Sequence, residues 1–96
     1  MPLEHFTDDD EFWLCYHKLP QRIRNAADRQ YAKLRVDPSY PSLHFYKRCD
    51  TSEGQIWGAR VNREYRALAV RVEPNTYRWF WIGHHEEYDR ILDLLC

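Results

Sequence analysis

The feature that most limits the fold of this chain is a change in the spacing of its apolar residues near residue 40. Before this point, Phe12, Tyr16 and Leu19 fall at helical spacing, and the same period continues through residues 20–35. From Leu43 onward the period is two and turn signals recur at short intervals, which is typical of an antiparallel meander. A chain that changes period in this way predicts helices followed by a sheet.

The helical part is predicted to form an antiparallel hairpin of two helices over residues 8–18 and 20–35. Thr7 is followed by four acidic residues, a pattern typical of a helix start, because the hydroxyl can accept from a free backbone N–H and acids complement the helix dipole. Pro20 separates the two helices, and Asp37-Pro38 ends the second.

Four strands are predicted after the hairpin, with turns at residues 50–54, 62–64 and 73–75. They are Leu43–Cys49, Gln55–Val61, Tyr65–Val72 and Tyr77–Ile82. The helical period returns after Gly83, so a short C-terminal helix should pack on the sheet. With 96 residues the chain has room for one domain. The predicted architecture is a single α+β domain, residues 1–96, with two N-terminal helices, a four-stranded antiparallel sheet and a short C-terminal helix.

Charge is unevenly distributed along the chain, although the net charge is only −1. Residues 12–80 carry thirteen Lys or Arg against six Asp or Glu, a surplus of seven positive charges, whereas both ends are acidic. A basic middle segment is compatible with a phosphate-binding face or with a solvated charged surface. The sequence has neither a membrane-spanning apolar run nor the pattern of a signal peptide at its start, which predicts a cytoplasmic protein without a membrane partner.

Three cysteines, Cys15, Cys49 and Cys96, are odd in number, widely spaced and free of any C-x-x-C pair. This pattern suggests neither a disulfide framework nor a zinc knuckle. We expect three unpaired thiols.

The turn at residues 62–64 predicts a pair of arginines on one face of the sheet. A three-residue loop pairs residue 61 with residue 65 and places Arg60 directly opposite Arg66. Like charges opposite each other repel unless an anion lies between them, and guanidiniums bind phosphate in a bidentate manner. The alternative is that Glu64, Glu86 or Glu87 neutralises the pair.

Two histidines, His84 and His85, follow Gly83 at the junction of the last strand and the C-terminal helix. Histidine can move a proton near neutral pH, but such a pair is also typical of a helix cap and a surface residue. No H-x-x-x-H or nearby cysteine pattern accompanies them, so no metal is expected. Tyr88 lies one turn beyond His85, where it can face the cleft or belong to the core.

Lys47 and Arg48 on the first predicted strand extend the positive field of the arginine pair. Because side chains alternate along a strand, one of these two residues must point away from the cleft.

Four segments together resemble the RelE/ParE superfamily of bacterial toxins, which act in type II toxin–antitoxin systems. They are L-P-x-x-I, D-P-x-x-P-S-L-H-F, W-G-A-R-V-N-R-E-Y-R-A-L and F-W-I-G-H-H-E-E-Y. The resemblance extends from about Phe12 to Leu95. It places Arg66 on the family's hairpin arginine, Arg60 on a basic position of the preceding strand, and His85 where relatives carry His or Arg.

The resemblance implies a ribosome-dependent mRNA endoribonuclease that inhibits translation and is held inactive by a cognate antitoxin. Arg66, Arg60 and His85 would be catalytic, and Lys47, Arg48, His84 and Tyr88 would bind RNA. Because the 2′-hydroxyl is the internal nucleophile, no metal or cofactor is expected. Two alternatives stay open: a ParE-like toxin that binds DNA gyrase without enzymatic activity, and a solitary, weakly active homologue.

Overall fold

The central sheet has five strands in the computed structural model, which describes residues 3–96. They are β1 (Glu4–Phe6), β2 (Tyr46–Thr51), β3 (Gly54–Arg60), β4 (Tyr65–Glu73) and β5 (Thr76–His84). Their order across the sheet is β1-β5-β4-β3-β2. Strands β2 to β5 pair in antiparallel fashion, as the meander predicts.

The predicted four-stranded antiparallel sheet is wrong, because β1 adds a fifth strand that runs parallel to β5. In this edge strand, His5 pairs with Tyr77 and Phe6 with Arg78. Three residues are too few to show an alternating pattern, and the segment precedes the helical part of the chain. The sheet is therefore mixed, and the chain remains α+β.

Three α-helices surround the sheet: α1 (Asp10–Lys18), α2 (Gln21–Val36) and α3 (His85–Leu95). The N-cap of α1 is Asp9, whose carboxylate accepts from the Glu11 backbone N–H, and not Thr7 as predicted. The Thr7 hydroxyl instead donates to the Trp79 carbonyl at 2.8 Å. A short 3-10 turn, Pro41–Leu43, occupies the predicted start of the first meander strand, so that strand begins at Tyr46.

Helices cover the sheet on both sides. Leu19, Ile23 and Leu34 from the α1–α2 region pack with Ala67 and Trp79, among others, on the side that we call the hairpin face. The opposite side, the α3 face, carries Tyr88 of α3 packed with strand residues; these include Ile56, Leu68, Val70 and Trp81. Among the helices of residues 3–96, none combines the length and apolar character needed to cross a membrane.

Cys49 and Cys96 form a disulfide with their Cα atoms 5.9 Å apart, so the expectation of three unpaired thiols is wrong. Cys15 alone is free among the described cysteines. The two partners are 47 residues apart in sequence, and they meet because α3 lies across its face of the sheet and ends beside β2. Where it is oxidised, such a cross-link stabilises a fold by about 2 to 4 kcal/mol.

His5 anchors β1 to the hairpin face of the sheet. Its ring stacks on Tyr77 at 5.5 Å, and its Nδ1 accepts a hydrogen bond from Trp79 Nε1 at 3.1 Å. Its Nε2 atom is buried without a partner. Burial, with a smaller contribution from the charge of Arg35, lowers the pKa of His5 to about 4. The imidazole is therefore neutral in the folded protein near pH 7.

Acidification from pH 7 to pH 5 should lower the free energy of unfolding. Between pH 6.5 and about 4 the unfolded chain binds a proton at His5 that the folded chain does not bind. Between pH 7 and pH 5 we expect a loss of about 1 to 2 kcal/mol from this group, because partial exposure of the ring weakens the effect. Urea denaturation at both pH values measures the loss. His5→Asn, which keeps an acceptor for Trp79, should reduce it, whereas the exposed control His17→Asn should not. Equal pH dependence in all three proteins would contradict this role.

Candidate functional site

The loop between β3 and β4 sets the register of the two arginines. The side-chain Oδ1 of Asn62 accepts from the backbone N–H groups of Glu64 and Tyr65 at 2.9 and 3.0 Å. The Val61 N–H donates to the Tyr65 carbonyl, and Arg60 lies directly opposite Arg66. The predicted register is confirmed. Asn62 closes the turn with its side chain, which explains why the loop needs no glycine.

Arg60 and Arg66 converge on one backbone carbonyl. Arg60 Nε donates to the Asn62 oxygen at 3.1 Å, and Arg66 Nη1 donates to the same oxygen at 2.7 Å and to the Tyr65 carbonyl at 3.0 Å. Burial and the neighbouring charge of Arg60 lower the pKa of Arg66. A guanidinium nevertheless stays protonated in proteins.

No acid forms an ion pair with this arginine pair in the part of the chain that the structure describes. The ion pairs of residues 3–96 join Lys47 to Asp50, and Arg78 to Asp8 and Asp9. The structure therefore excludes the alternative in which Glu64, Glu86 or Glu87 forms an ion pair with Arg60 or Arg66. Two half-buried cations therefore lie side by side without a carboxylate partner, and guanidiniums of this kind can bind an anion.

Arg48 joins the site through a bulge in β2. The register shifts between Lys47 and Cys49, so Arg48 is an extra residue on its strand. Its guanidinium lies 3.8 Å above the Tyr46 ring and 5.9 Å from the Tyr88 ring on the α3 face. Lys47 pairs with Trp57, on the other side of the sheet, and its ammonium binds Asp50 at 3.0 Å. As alternation predicts, only one of the two basic residues belongs to the site.

Tyr88 brings a buried hydroxyl to the same place. The residue is 6% exposed, and its Oη has no hydrogen-bond partner; the Nε of Arg48 is also buried and unpartnered. Burial raises the pKa of Tyr88, while the charges of Arg48 and Arg66 oppose that shift. Buried polar atoms without a partner are rare in folded proteins, and here two of them lie beside the arginine pair. Tyr88 is thus both a core residue of the α3 face and a member of the site.

Gly58 makes the approach of these groups possible. A Cβ atom at this position would collide with the Tyr88 hydroxyl and lie 2.7 Å from Arg48 Nε. Gly58→Ala should therefore displace the Tyr88 ring and lower stability by about 1 to 3 kcal/mol, the usual effect of overpacking. Thermal melts measure the change, with Ala59→Gly, the loss of a methyl group at the next residue, as a comparison. A Gly58→Ala protein as stable as the wild type would show that the site tolerates a side chain there.

The two histidines lie at the end of β5, next to Tyr65. The His84 ring packs edge-on against Tyr65 at 5.5 Å, and its Nδ1 accepts from the Glu86 N–H as the N-cap of α3. His85 begins α3, and its N–H donates to the Glu64 carbonyl at 2.8 Å. This carbonyl belongs to the loop that carries the arginine pair, and Gly83 pairs with Arg66. The backbone of this junction therefore lies beside the arginine loop, whereas the His84 ring packs on Tyr65, a residue of the hairpin face.

The rings of the two histidines lie on the same side of the junction. Strand alternation would direct His84 and His85 to opposite sides, yet their rings lie 4.4 Å apart with an angle of 31° between their planes. The strand ends at His84 and the helix begins at His85, so the alternation rule no longer applies between them. Both imidazoles share one side of the junction.

A carboxylate completes a group of possible metal ligands at this junction. His84, His85 and Glu86 each offer one donor atom, and these atoms lie within 4.8 Å of one another. The sequence His-His-Glu matches neither the helical spacing nor the cysteine patterns of common metal sites, so it does not indicate this group. His84 already uses Nδ1 as the helix cap, so its neutral form carries its proton on Nε2. A metal ion bound by His84 would therefore compete with the cap.

Three residues of the site were missed by sequence reasoning: Tyr46, Gly58 and Asn62. Tyr46 could have been found from the sequence, because it lies two residues before Arg48 in the strand and so shares its face. Asn62 also had a signal, because asparagine is typical of turns that its own side chain closes. Gly58 gains its role only from the tertiary approach of Tyr88 and Arg48.

Comparison of the sequence with protein-family models and with curated proteins gives no match. Solved structures do match the fold. A chain of the archaeal RelE–RelB complex from Pyrococcus horikoshii OT3 aligns with a TM-score of 0.64 at 14% identity, over 88% of this chain and 96% of that chain. A copper-bound mutant toxin from Helicobacter pylori aligns with a TM-score of 0.56 at 10% identity, over 88% of this chain and 97% of that chain. The chain therefore has a RelE-like toxin fold.

Proposed function

We propose that this protein is the toxin of a toxin–antitoxin pair and that it cleaves messenger RNA on the ribosome. The observation that carries the proposal is the pair Arg60 and Arg66, which lie opposite each other without an acidic partner in residues 3–96. Phosphate suits two convergent guanidiniums. The RelE-like fold supports assignment of this anion to a nucleic-acid substrate.

The reaction needs only the RNA and the side chains of the site. The 2′-oxygen attacks the adjacent phosphorus, the bond to the 5′-oxygen of the next nucleotide breaks, and a cyclic phosphate remains. Arg60 and Arg66 would stabilise the charge that grows on the phosphoryl oxygens, which is the electrostatic part of catalysis. DNA lacks the attacking hydroxyl and would not be cut.

His85 would move a proton in this reaction, either from the 2′-hydroxyl or to the departing 5′-oxygen. It begins α3 beside the loop that holds the arginines. His84 would bind RNA next to it, and Arg48 and Tyr88 would contribute hydrogen-bond donors to the phosphate. Lys47 faces away from the site, so any contact that it makes with RNA would lie outside the cleft.

An antitoxin is the partner that this function requires, because a toxin must be silenced in its own cell. The surplus of seven positive charges in residues 12–80 offers a docking field for an acidic or amphipathic segment. The archaeal structural neighbour is itself a RelE–RelB complex.

Expression in growing cells tests this proposal. We expect growth arrest, cut messages within translated regions, and relief of both when the adjacent reading frame is co-expressed. Arrest without message cleavage would contradict the nuclease. Unimpaired growth and recovery of free protein alone would instead favour the solitary homologue.

A further inference from the structure

Tyr46 presents an aromatic ring beside the arginine site that no step of the proposed cleavage uses. It lies in β2 opposite Gly58, on the α3 face, and is 51% exposed. A large, half-exposed ring on an edge strand contributes little to the core. Its position next to free cations suggests a role in binding.

The Arg48 guanidinium fixes this ring from one side. Arg48 Cζ lies 3.8 Å from the ring centroid, and Arg48 Nη2 donates to the His44 carbonyl at 3.3 Å. One face of the Tyr46 ring is therefore covered by Arg48, although the residue as a whole is 51% exposed. Such a ring is ordered before a ligand arrives, which reduces the entropy lost on binding.

The ring is close to the proposed phosphate position. Tyr46 pairs with Gly58, and Arg60 lies two residues beyond Gly58 on the same face of β3. Tyr46 and Arg60 are therefore diagonal neighbours on the adjacent strands β2 and β3. Such neighbours are about 7 to 8 Å apart and within reach of long side chains. A nucleotide whose phosphate binds the arginine pair would therefore have a base near Tyr46.

We propose that Tyr46, held by Arg48, is a stacking platform for a nucleobase of the bound RNA. This inference rests on the proposed function, because it assumes that the α3 face binds RNA. Single-stranded RNA is bound by stacking of unpaired bases on aromatic rings and arginine planes next to a cationic track. Tyr46, Arg48 and the arginine pair supply these elements side by side.

The test compares two ligands of equal charge: a single-stranded RNA hexamer with 2′-O-methyl groups, which the proposed reaction cannot cut, and its abasic sugar–phosphate counterpart. Fluorescence anisotropy at fixed salt gives the dissociation constants. We expect the wild type to prefer the hexamer by about 5- to 150-fold for one stacked base. Tyr46→Leu should lose that preference and Tyr46→Phe should keep it. Tyr31→Leu is the matched control, because Tyr31 is 42% exposed, lies near an arginine, and belongs to α2 on the other side of the sheet.

Each outcome decides the inference. A Tyr46→Leu protein that is folded by circular dichroism and keeps the full preference overturns it, even if the RNA is cleaved on ribosomes. Equal loss in Tyr46→Phe also overturns stacking, because the hydroxyl would then be the binding group. If neither ligand binds the free protein, the inference fails, and cleavage on programmed ribosomes alone then decides the proposed function. If the preference depends on Tyr46 but no message is ever cut, the stacking platform stands and the nuclease does not.

Discussion

Arg66→Ala is expected to slow message cleavage by about 10²- to 10³-fold while the protein stays folded. The expected loss is that of removing one donor that stabilises charge in the transition state. Arg66 is half-buried, and its contacts are hydrogen bonds to loop carbonyls, so the cost in stability should be on the order of 1 kcal/mol. Single-turnover cleavage on programmed ribosomes measures the rate, and a thermal melt measures the fold.

The matched control for this change is Arg63→Ala. Arg63 is an exposed arginine in the same loop, so its removal subtracts an equal charge without touching the pair. We expect a small change in rate from Arg63→Ala. An unfolded Arg66→Ala protein would make Arg66 structural, and a folded one that cuts at the wild-type rate would remove the phosphate role.

His85→Gln should lower the cleavage rate by about 10²- to 10⁴-fold, the usual contribution of a positioned acid or base. Glutamine keeps hydrogen-bonding ability but cannot titrate in this range. The pH dependence of the rate should therefore lose the limb that histidine contributes. Rates measured from pH 5 to 9 on programmed ribosomes would show this.

His84→Gln is the control for that experiment, and we expect a much smaller loss of rate. The reason is the helix cap: His84 Nδ1 accepts from the Glu86 N–H, so a change there acts mainly on the start of α3. Losing a cap costs about 1 kcal/mol of stability. The two rings lie only 4.4 Å apart, so a difference in rate between the two variants would assign the effect to one of two neighbouring imidazoles. Equal and mild effects of both changes would remove histidine from the mechanism.

The spacing of apolar residues along the sequence predicts most of the helices and strands. The change of period near residue 40 separates the two N-terminal helices from the meander, and the predicted hairpin register at Arg60 and Arg66 is the observed one. Strand β1 could not be predicted, because three residues show no period and because its partner β5 lies about seventy residues away in the sequence. The Cys49–Cys96 disulfide could not be predicted either, because its partners are far apart in the sequence and meet only where α3 ends.

The arginine half of the site could be predicted, because the β3–β4 hairpin that carries it is a local structure. Arg60 and Arg66 face each other through a three-residue turn that can be read from the sequence. The contributions of Arg48 and Tyr88 come from a bulge in β2 and from the packing of α3, which are tertiary features. The relation between His84 and His85 depends on the residue at which β5 ends, and boundaries are the least predictable part of an element.

The central claim, that the arginine pair holds an RNA phosphate for attack by its own 2′-hydroxyl, is tested most directly with a chemically modified message. Programmed ribosomes carry either an all-ribose message or one with a single 2′-deoxynucleotide at the mapped cut. We predict cleavage of the first and no cleavage of the second at that position. Equal cleavage of both messages would contradict internal attack. Failure to cut any RNA, with or without ribosomes, together with inhibition of gyrase supercoiling, would contradict the nuclease and favour the ParE-like alternative.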